Sequence, residues 1–242
     1  MAARPRSTSR PSHRLRAVVT DIDGTLTNEA HRLDPAALEV VHRLVDRRIP
    51  VLLATGNVLP VALGIYRSLG LSSPVIAENG GVLYVPSRSG DRVERLGDRA
   101  LAERAYRRLV RSGLPVRRLF TDRWRESEVA LDTSVPVRTI RSVLRHDPIQ
   151  VQGSGFAIHL MSPKMGKLPA LRRALAGLHL EPSDCLVLGD GDNDVEMLKA
   201  AGWSVSFPNG SRAARAAAAY VTRRNHSKGF VEGVKSSGIL RS

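Results

Sequence analysis

The chain has 242 residues, enough for one large domain or for a core with a smaller inserted domain. Apolar residues make up 42%, so a packed core can form, and no apolar run reaches bilayer length, so a soluble protein with no membrane partner is expected. The formal charge of +14 favours anionic partners, whereas 4% aromatics is thin for stacking on bases, and the single cysteine, Cys185, excludes an internal disulfide and fits a reducing cytoplasm.

Residues 1–16 carry Arg4, Arg6, Arg10, Arg14 and Arg16 and no acid. Transit peptides and basic tails share that composition, and a solvated, disordered tail is expected. No apolar stretch of signal-peptide type follows. Removing this tail lowers the formal charge from +14 to +9, since five arginines and no acids go with it. Residues 17–20 then form a short apolar, β-branched run that reads as a buried strand ending at Asp21. Asp34-Pro35 reads as an N-cap with proline at the first helical position, followed by Leu38, Val41, Leu44 and Val45 at helical spacing. A second buried strand over 50–54 ends at Thr55-Gly56-Asn57, a helix follows over 59–69, and a third strand over 74–77 ends at Glu78-Asn79-Gly80.

After Tyr84 the pattern changes. Residues 85–95 are polar and rich in Gly, Ser and Arg, and an amphipathic helix with Leu101, Ala105 and Leu109 comes next. Short segments at 128–131, 137–144, 149–151 and 156–161 follow, which is an α+β signature. The βα alternation resumes with a helix over 168–178, a strand over 185–188 ending at Gly189 to Asp194, a helix to 201, a strand over 204–207, a helix over 211–218 and a strand over 220–222. The expected architecture is α/β: a doubly wound, parallel-sheet, Rossmann-like core over 17–84 and 161–242, with an α+β cap inserted over 85–160.

In an open α/β sheet the ligand site lies beyond the carboxyl ends of the strands. Asp21 and Asp23, Thr55 to Asn57, Glu78 to Gly80, and Asp190 to Asp194 all stand at such ends. Hard carboxylate oxygens gathered on one rim suit Mg²⁺. One aspartate of the Asp21/Asp23 pair can attack phosphorus while the other protonates the leaving alcohol and then activates water. Gly24 lets the chain turn sharply there. Each cluster alone also reads as a turn, and Asp21 to Gly24 alone also reads as a calcium-loop fragment, although the twelfth position counted from Asp21 is Arg32 rather than the glutamate such a loop needs. Their combination in one βα array is what points to chemistry.

The run Val18 to Leu26 resembles the first motif of the haloacid dehalogenase superfamily. Thr55 resembles its second motif, Lys167 its third, with Lys164 as a rival, and Gly189 to Asp194 its fourth. The insertion lies between the second and third, as in the branch with the large α+β cap. Thr55 to Pro60, Glu78 to Gly81, Arg123 to Glu126 and His159 to Met161 are similar to the archaeal phosphoglycolate phosphatase branch. The resemblance implies hydrolysis of 2-phosphoglycolate to glycolate and phosphate through an aspartyl phosphate, with a sugar-phosphate phosphatase as the alternative. It implies Asp21 as nucleophile and Asp23 as acid/base. It implies Mg²⁺ surrounded by Asp21, Asp23, Asp190 and Asp194, with Asp23 lending its backbone carbonyl. Thr55, Gly56, Asn57 and Lys167 would hold the phosphate, and Asn193 would orient this shell. Arg123 and Arg125 read either as a carboxylate clamp or as surface arginines, Trp124 and His159 as packing residues, and Cys185 as inert. A small phosphorylated metabolite is the expected partner, and an oligomer is compatible with the sequence. A nucleic-acid-binding protein is the competing class, but no recognisable module supports it and no specific nucleic acid is expected.

Overall fold

The computed structural model describes residues 14–154 and 156–241. The tail expected over residues 1–16 lies outside the described residues except for 14–16. The first half of the core comprises β1 (Ala17–Thr20), α1 (Pro35–Asp46), β2 (Val51–Ala54), α2 (Leu59–Ser68), β3 (Val75–Ala77), β4 (Val82–Val85) and β5 (Arg92–Arg95). The chain continues through α3 (Arg99–Arg111), β6 (Val129–Leu131), α4 (Val137–Val143), β7 (Gln150–Gly153) and β8 (Ile158–Met161). It closes with α5 (Lys167–Ala176), β9 (Cys185–Leu188), α6 (Val195–Ala200), β10 (Trp203–Ser206), α7 (Arg212–Ala217), β11 (Tyr220–Val221) and α8 (His226–Ser237).

Eight strands form one sheet in the order β11-β10-β9-β1-β2-β3-β4-β5. It is parallel from β11 to β3 and antiparallel at β4 and β5. β1 is central, with Val18 paired to Leu186 of β9 on one side and to Val51 of β2 on the other. Because side chains alternate along a strand, the sheet feeds two cores. Val18, Val51, Leu53, Val75 and Leu186 pack with α1, α2 and α8. Ala17, Val19, Leu52, Ala54 and Val187 pack with α5, α6 and α7. The α/β expectation therefore holds: a doubly wound core flanked by helices on both faces. Asp34 caps α1 by accepting from the Ala36 N–H at 2.9 Å, with Pro35 at the first helical position.

β6, β8 and β7 make a second, antiparallel sheet, and α3 and α4 cover one of its faces through a separate apolar cluster that includes Ala102, Leu109, Ile140, Ile158 and Leu160. Two elements depart from the sequence expectations. β5 falls in the polar stretch assigned to the cap over 85–160, yet it pairs with β4 as the edge of the large core sheet, where Arg92, Glu94 and Arg95 can reach water. α8 was not expected at all. Its Gly229, Gly233 and serines are weak helix formers, and its buried Phe230 and Val234 hold it against the sheet. No helix among the described residues is long and apolar enough to cross a membrane.

The close approach of α8 to the sheet predicts opposite signs for one substitution at two sites. A Cβ at Gly233 would lie 2.7 Å from Val205 Cγ1, whereas a Cβ at Gly64 in α2 would meet nothing within 4 Å. Gly233→Ala should lower stability by about 1–3 kcal/mol through overpacking. Gly64→Ala should raise it by about 0.5–1 kcal/mol through helix propensity and reduced unfolded-state freedom. Urea unfolding of both variants checks this, and a stabilised Gly233→Ala would contradict the packing.

Candidate active site

β1, β2, β3, β9 and β10 all point their carboxyl ends at one rim, and the loops that leave them carry the polar side chains. Asp21 follows β1 directly. Its N–H donates to the Leu188 carbonyl at 3.0 Å, so the ladder with β9 sets its position. The Ile22 N–H donates to Asp21 Oδ1 at 2.7 Å and orients the carboxylate. Gly24 turns the chain at φ +78°, and a Cβ there would lie 2.8 Å from Asp190 Cγ, so only glycine leaves room for that carboxyl group. Thr25 donates to Asp190 Oδ1 at 2.9 Å, and Asn209, just beyond β10, donates to the Gly24 carbonyl at 3.0 Å.

Lys167 opens α5 and is the largest fully buried side chain, only 1% exposed. Its ammonium lies 2.7 Å from Asp194 Oδ1 and 3.0 Å from Asp21 Oδ2. Asp194 Oδ2 accepts from the N–H groups of Asp190 and Gly191 at 3.1 and 2.9 Å, which closes the loop between β9 and α6. Lys164, the rival position, is exposed. Oxygens of Asp21, Asp190 and Asp194 all lie within 4.8 Å of one another.

The electrostatics follow from that crowding. Burial raises the Asp21 carboxyl well above its ordinary range; Lys167 pulls it down, while Asp194 and Asp190 push it further up. Burial, then Asp194, lifts Asp190 to about 7. Burial opposes the Lys167 charge, but Asp194 and Asp21 outweigh it and hold the ammonium above its usual value. Three carboxylates therefore share one ammonium, a surplus of negative charge that a cation with hard-oxygen preference fits. These three residues could hold a metal ion.

Asp23 stands outside this trio. Its Oδ2 accepts from Asn57 Nδ2 at 2.5 Å, and burial raises its pKa. Thr55 is buried at the end of β2, and its Oγ accepts from the Asn57 N–H at 3.0 Å. Gly56 follows, with its carbonyl accepting from Arg125 at 3.0 Å. Asn193 donates to Asn79 Oδ1 at 2.9 Å, and Asn79 in turn donates to Glu128 at 3.3 Å. The structure thus brings all nine sequence-expected site residues to the rim. Arg125 is not a surface residue: it is buried, and its Nη1 is paired with Glu128. Arg123 stacks over Phe120, and Trp124, expected in packing, is exposed with an edge against the same ring. Cys185 is buried and its thiol is pushed up to about 12 by burial.

A cavity of about 600 Å³ opens between this rim and the second sheet. Asp21, Asp23 and Asp190 line it from the core; Ser154, Phe156 and His159 line it from the other side. Sequence reasoning assigned no role to Asn209, although it too stands at a strand end and the same rule reaches it. It placed Glu78 at the rim without a role and gave Glu128 none, because their partners come from distant segments: the Glu78 carboxylate accepts from the backbone N–H groups of Glu126 and Ser127 and from the Ser127 hydroxyl.

A family model described as haloacid dehalogenase-like hydrolase matches residues 18–101 and 137–234. The chain is 38% identical over 221 residues to a phosphoglycolate phosphatase of Methanothermobacter thermautotrophicus, covering 91% of this chain and 98% of that protein. It is 36% identical over 235 residues to the phosphoglycolate phosphatase of Methanococcoides burtonii, covering 93% and 99%. Among solved structures, Thermoplasma acidophilum 0175 superposes with a TM-score of 0.84 at 24% identity, over 94% of this chain and all of that one. A phosphatase of the haloalkanoate superfamily from Bacteroides thetaiotaomicron superposes at 0.76 with 20% identity, over 96% and 98%. The last two share the fold, and the sequence matches span both halves of the rim, so the chain belongs to the haloacid dehalogenase-like hydrolases.

Proposed function

We propose that the chain is a Mg²⁺-dependent phosphatase that hydrolyses 2-phosphoglycolate to glycolate and phosphate through an aspartyl phosphate on Asp21. The observation that carries the chemistry is the buried Lys167 ammonium bridging Asp21 and Asp194 at the end of the central strand. The substrate rests on the relatives, which bear the name phosphoglycolate phosphatase and match nearly their whole length.

An Asp21 oxygen attacks phosphorus, and the bond to the glycolate oxygen breaks. Asp23 gives its proton to that leaving oxygen; burial raises its pKa, which favours the protonated form that this step needs. A water molecule then attacks the aspartyl phosphate while Asp23 takes its proton, releasing phosphate and restoring Asp21. Thr55 and the backbone at Gly56 grip the phosphoryl oxygens, and Asn57 fixes Asp23 through the 2.5 Å hydrogen bond. Lys167 offsets charge on the transferring group, and Asn193 holds the loop of Asp190 and Asp194 against Asn79. Asp21, Asp190, Asp194 and the Asp23 backbone carbonyl would hold Mg²⁺, which would supply neutralising positive charge when bound. A core over 17–84 and 161–242 joined by the edge strand at 92–95, a cap over the rest of 85–160, and a cytoplasmic setting complete this reading.

A panel of phosphate esters with purified protein and Mg²⁺ tests the substrate. 2-Phosphoglycolate should exceed hexose phosphates in kcat/KM by at least about tenfold, the size of one lost charge-assisted hydrogen bond. Comparable rates on hexose phosphates would defeat the specific assignment. Asp21→Asn should lower turnover by several orders of magnitude while the circular dichroism spectrum stays that of the folded wild type. Substantial turnover in that variant would rule out the nucleophile.

The crowded carboxylates also set a pH signature. Asp190 has a higher pKa folded, about 7, than its ordinary 3.8, so the folded state holds more protons between those values. Its contribution to stability is present at low pH and is lost as pH rises from about 4 to about 7. Without metal, the protein should therefore lose stability over this window. Mg²⁺ should restore it, raising the melting temperature more at pH 8 than at pH 5, and equal shifts at both pH values would contradict the cluster's role.

A further inference from the structure

We infer that His159, backed by Glu128, is the specificity-determining residue that reads the carboxylate end of the substrate from the cap side of the cavity; this rests on the phosphoglycolate reading above. His159 sits in the middle of β8. Its neighbours Ile158 and Leu160 join the apolar cluster under α3 and α4. Alternation along the strand turns His159 to the opposite face, towards the catalytic rim. It lines the same cavity as Asp21 and Asp190. Its cross-strand partners, Ala130 and Gln152, leave it flanked by one small and one uncharged side chain.

The ring is not a packing residue without a task. Its Nδ1 lies 2.8 Å from Glu128 Oε1, with both side chains at most 2% exposed. Burial alone would raise the Glu128 carboxyl, but His159 and Arg125 outweigh it and hold it below the ordinary glutamate range. An ionised Glu128 makes Nδ1 the donor and fixes the ring, leaving Nε2 on the Ser154 side. Nε2 has Ser154 Oγ at 3.4 Å, a long contact that a ligand oxygen can displace.

The surroundings favour a carboxylate over a hydroxyl-rich group. Every carboxylate lining the cavity comes from the core rim, and among the described lining residues the cap side supplies Gly153, Ser154, Phe156 and His159. A sugar hydroxyl needs acceptors as well as donors there. The nearby cap carboxylate, Glu128, is already taken by Arg125, His159 and Asn79. Glu78 is likewise taken by three donors of residues 126 and 127. Arg125 is not among the described residues that line the cavity, and its Nη1 is held by Glu128 and the Gly56 carbonyl. That link instead ties the His159–Glu128 pair to the loop proposed to grip phosphate, so the two ends of a short substrate are held in register.

The test compares 2-phosphoglycolate with 2-hydroxyethyl phosphate, which keeps the two-carbon skeleton and lacks the carboxylate. The readout is the ratio of kcat/KM for the two esters in wild type, His159→Gln and Ser154→Asp. Wild type should prefer 2-phosphoglycolate. In His159→Gln the ratio should fall by roughly 10- to 100-fold, mainly through KM, as expected for a lost charge-assisted hydrogen bond. Ser154→Asp sets a rival anion beside Nε2 without opening the buried network, so the same fall is expected if His159→Gln does not fold. A ratio that stays at the wild-type value in a folded variant, whether both rates drop or neither does, overturns the inference and leaves the phosphatase assignment standing. A wild type that does not prefer the carboxylate-bearing ester overturns both.

Discussion

A buried ammonium between two aspartates is the constraint on which the rest of the molecule depends. Lys167 is 1% exposed, and taking a charge out of water is tolerated only where the pairing is close. Contacts of 2.7 and 3.0 Å to Asp194 and Asp21 meet that condition. They also fix the tertiary arrangement, because the three residues open α5, close the loop after β9 and follow β1. The parallel ladder of β1 with β9 must hold register for Asp21 and Asp194 to meet the ammonium. One lysine does not neutralise Asp190 as well, and burial first, then repulsion among the carboxylates, raises both Asp21 and Asp190. The same geometry that builds the site leaves room for positive charge from a bound ion.

The second constraint is the seam between the core rim and the segment that leads into β6. Glu78 and Asn79 come from the turn after β3, Arg125 and Glu128 from the far side. Glu78 caps the backbone of Glu126 and Ser127, Arg125 reaches the Gly56 carbonyl, and Asn79 bridges Asn193 and Glu128. These are fully or nearly fully buried polar groups with mutual partners, so removing one strands another. On the proposed reading, the seam sets the distance between the phosphate grip and His159, and hence the length of substrate that fits.

Much of this was legible in the chain because it is local. A β-branched run that ends in Asp21 announces a strand and its rim residue together, and the same rule finds Thr55 and Asp190. Asn209, just beyond β10, stands at a strand end of the same kind. What was not legible depends on distance. Nothing near His159 in the chain says that Glu128 lies against its ring, so it read as a packing histidine; nothing near Arg125 says that its partner is a buried carboxylate, so it read as clamp or surface. α8 was hidden by its own glycines, which are weak in an isolated helix and required where the helix lies on β10. β5 was hidden because an edge strand facing water need not look apolar.

A pocket lined by carboxylates is a poor receptor for a phosphate ester unless charge is supplied from elsewhere. The chain answers at three ranges. Lys167 acts within hydrogen-bond reach of Asp21, and the acidic trio invites a divalent ion. Across the cavity, the cap side offers His159 and no carboxylate of its own among the described lining residues. Beyond contact, a formal charge of +14 gives the whole protein a field that draws anions in, and +9 of it remains without the first sixteen residues. That long-range part is screened within about 8–10 Å at physiological salt, so it affects arrival rather than the chemistry. On the proposed reading, selection among anions therefore falls to the short-range part, where a phosphoryl group would meet acid, lysine and a bound cation at one end and an imidazole at the other.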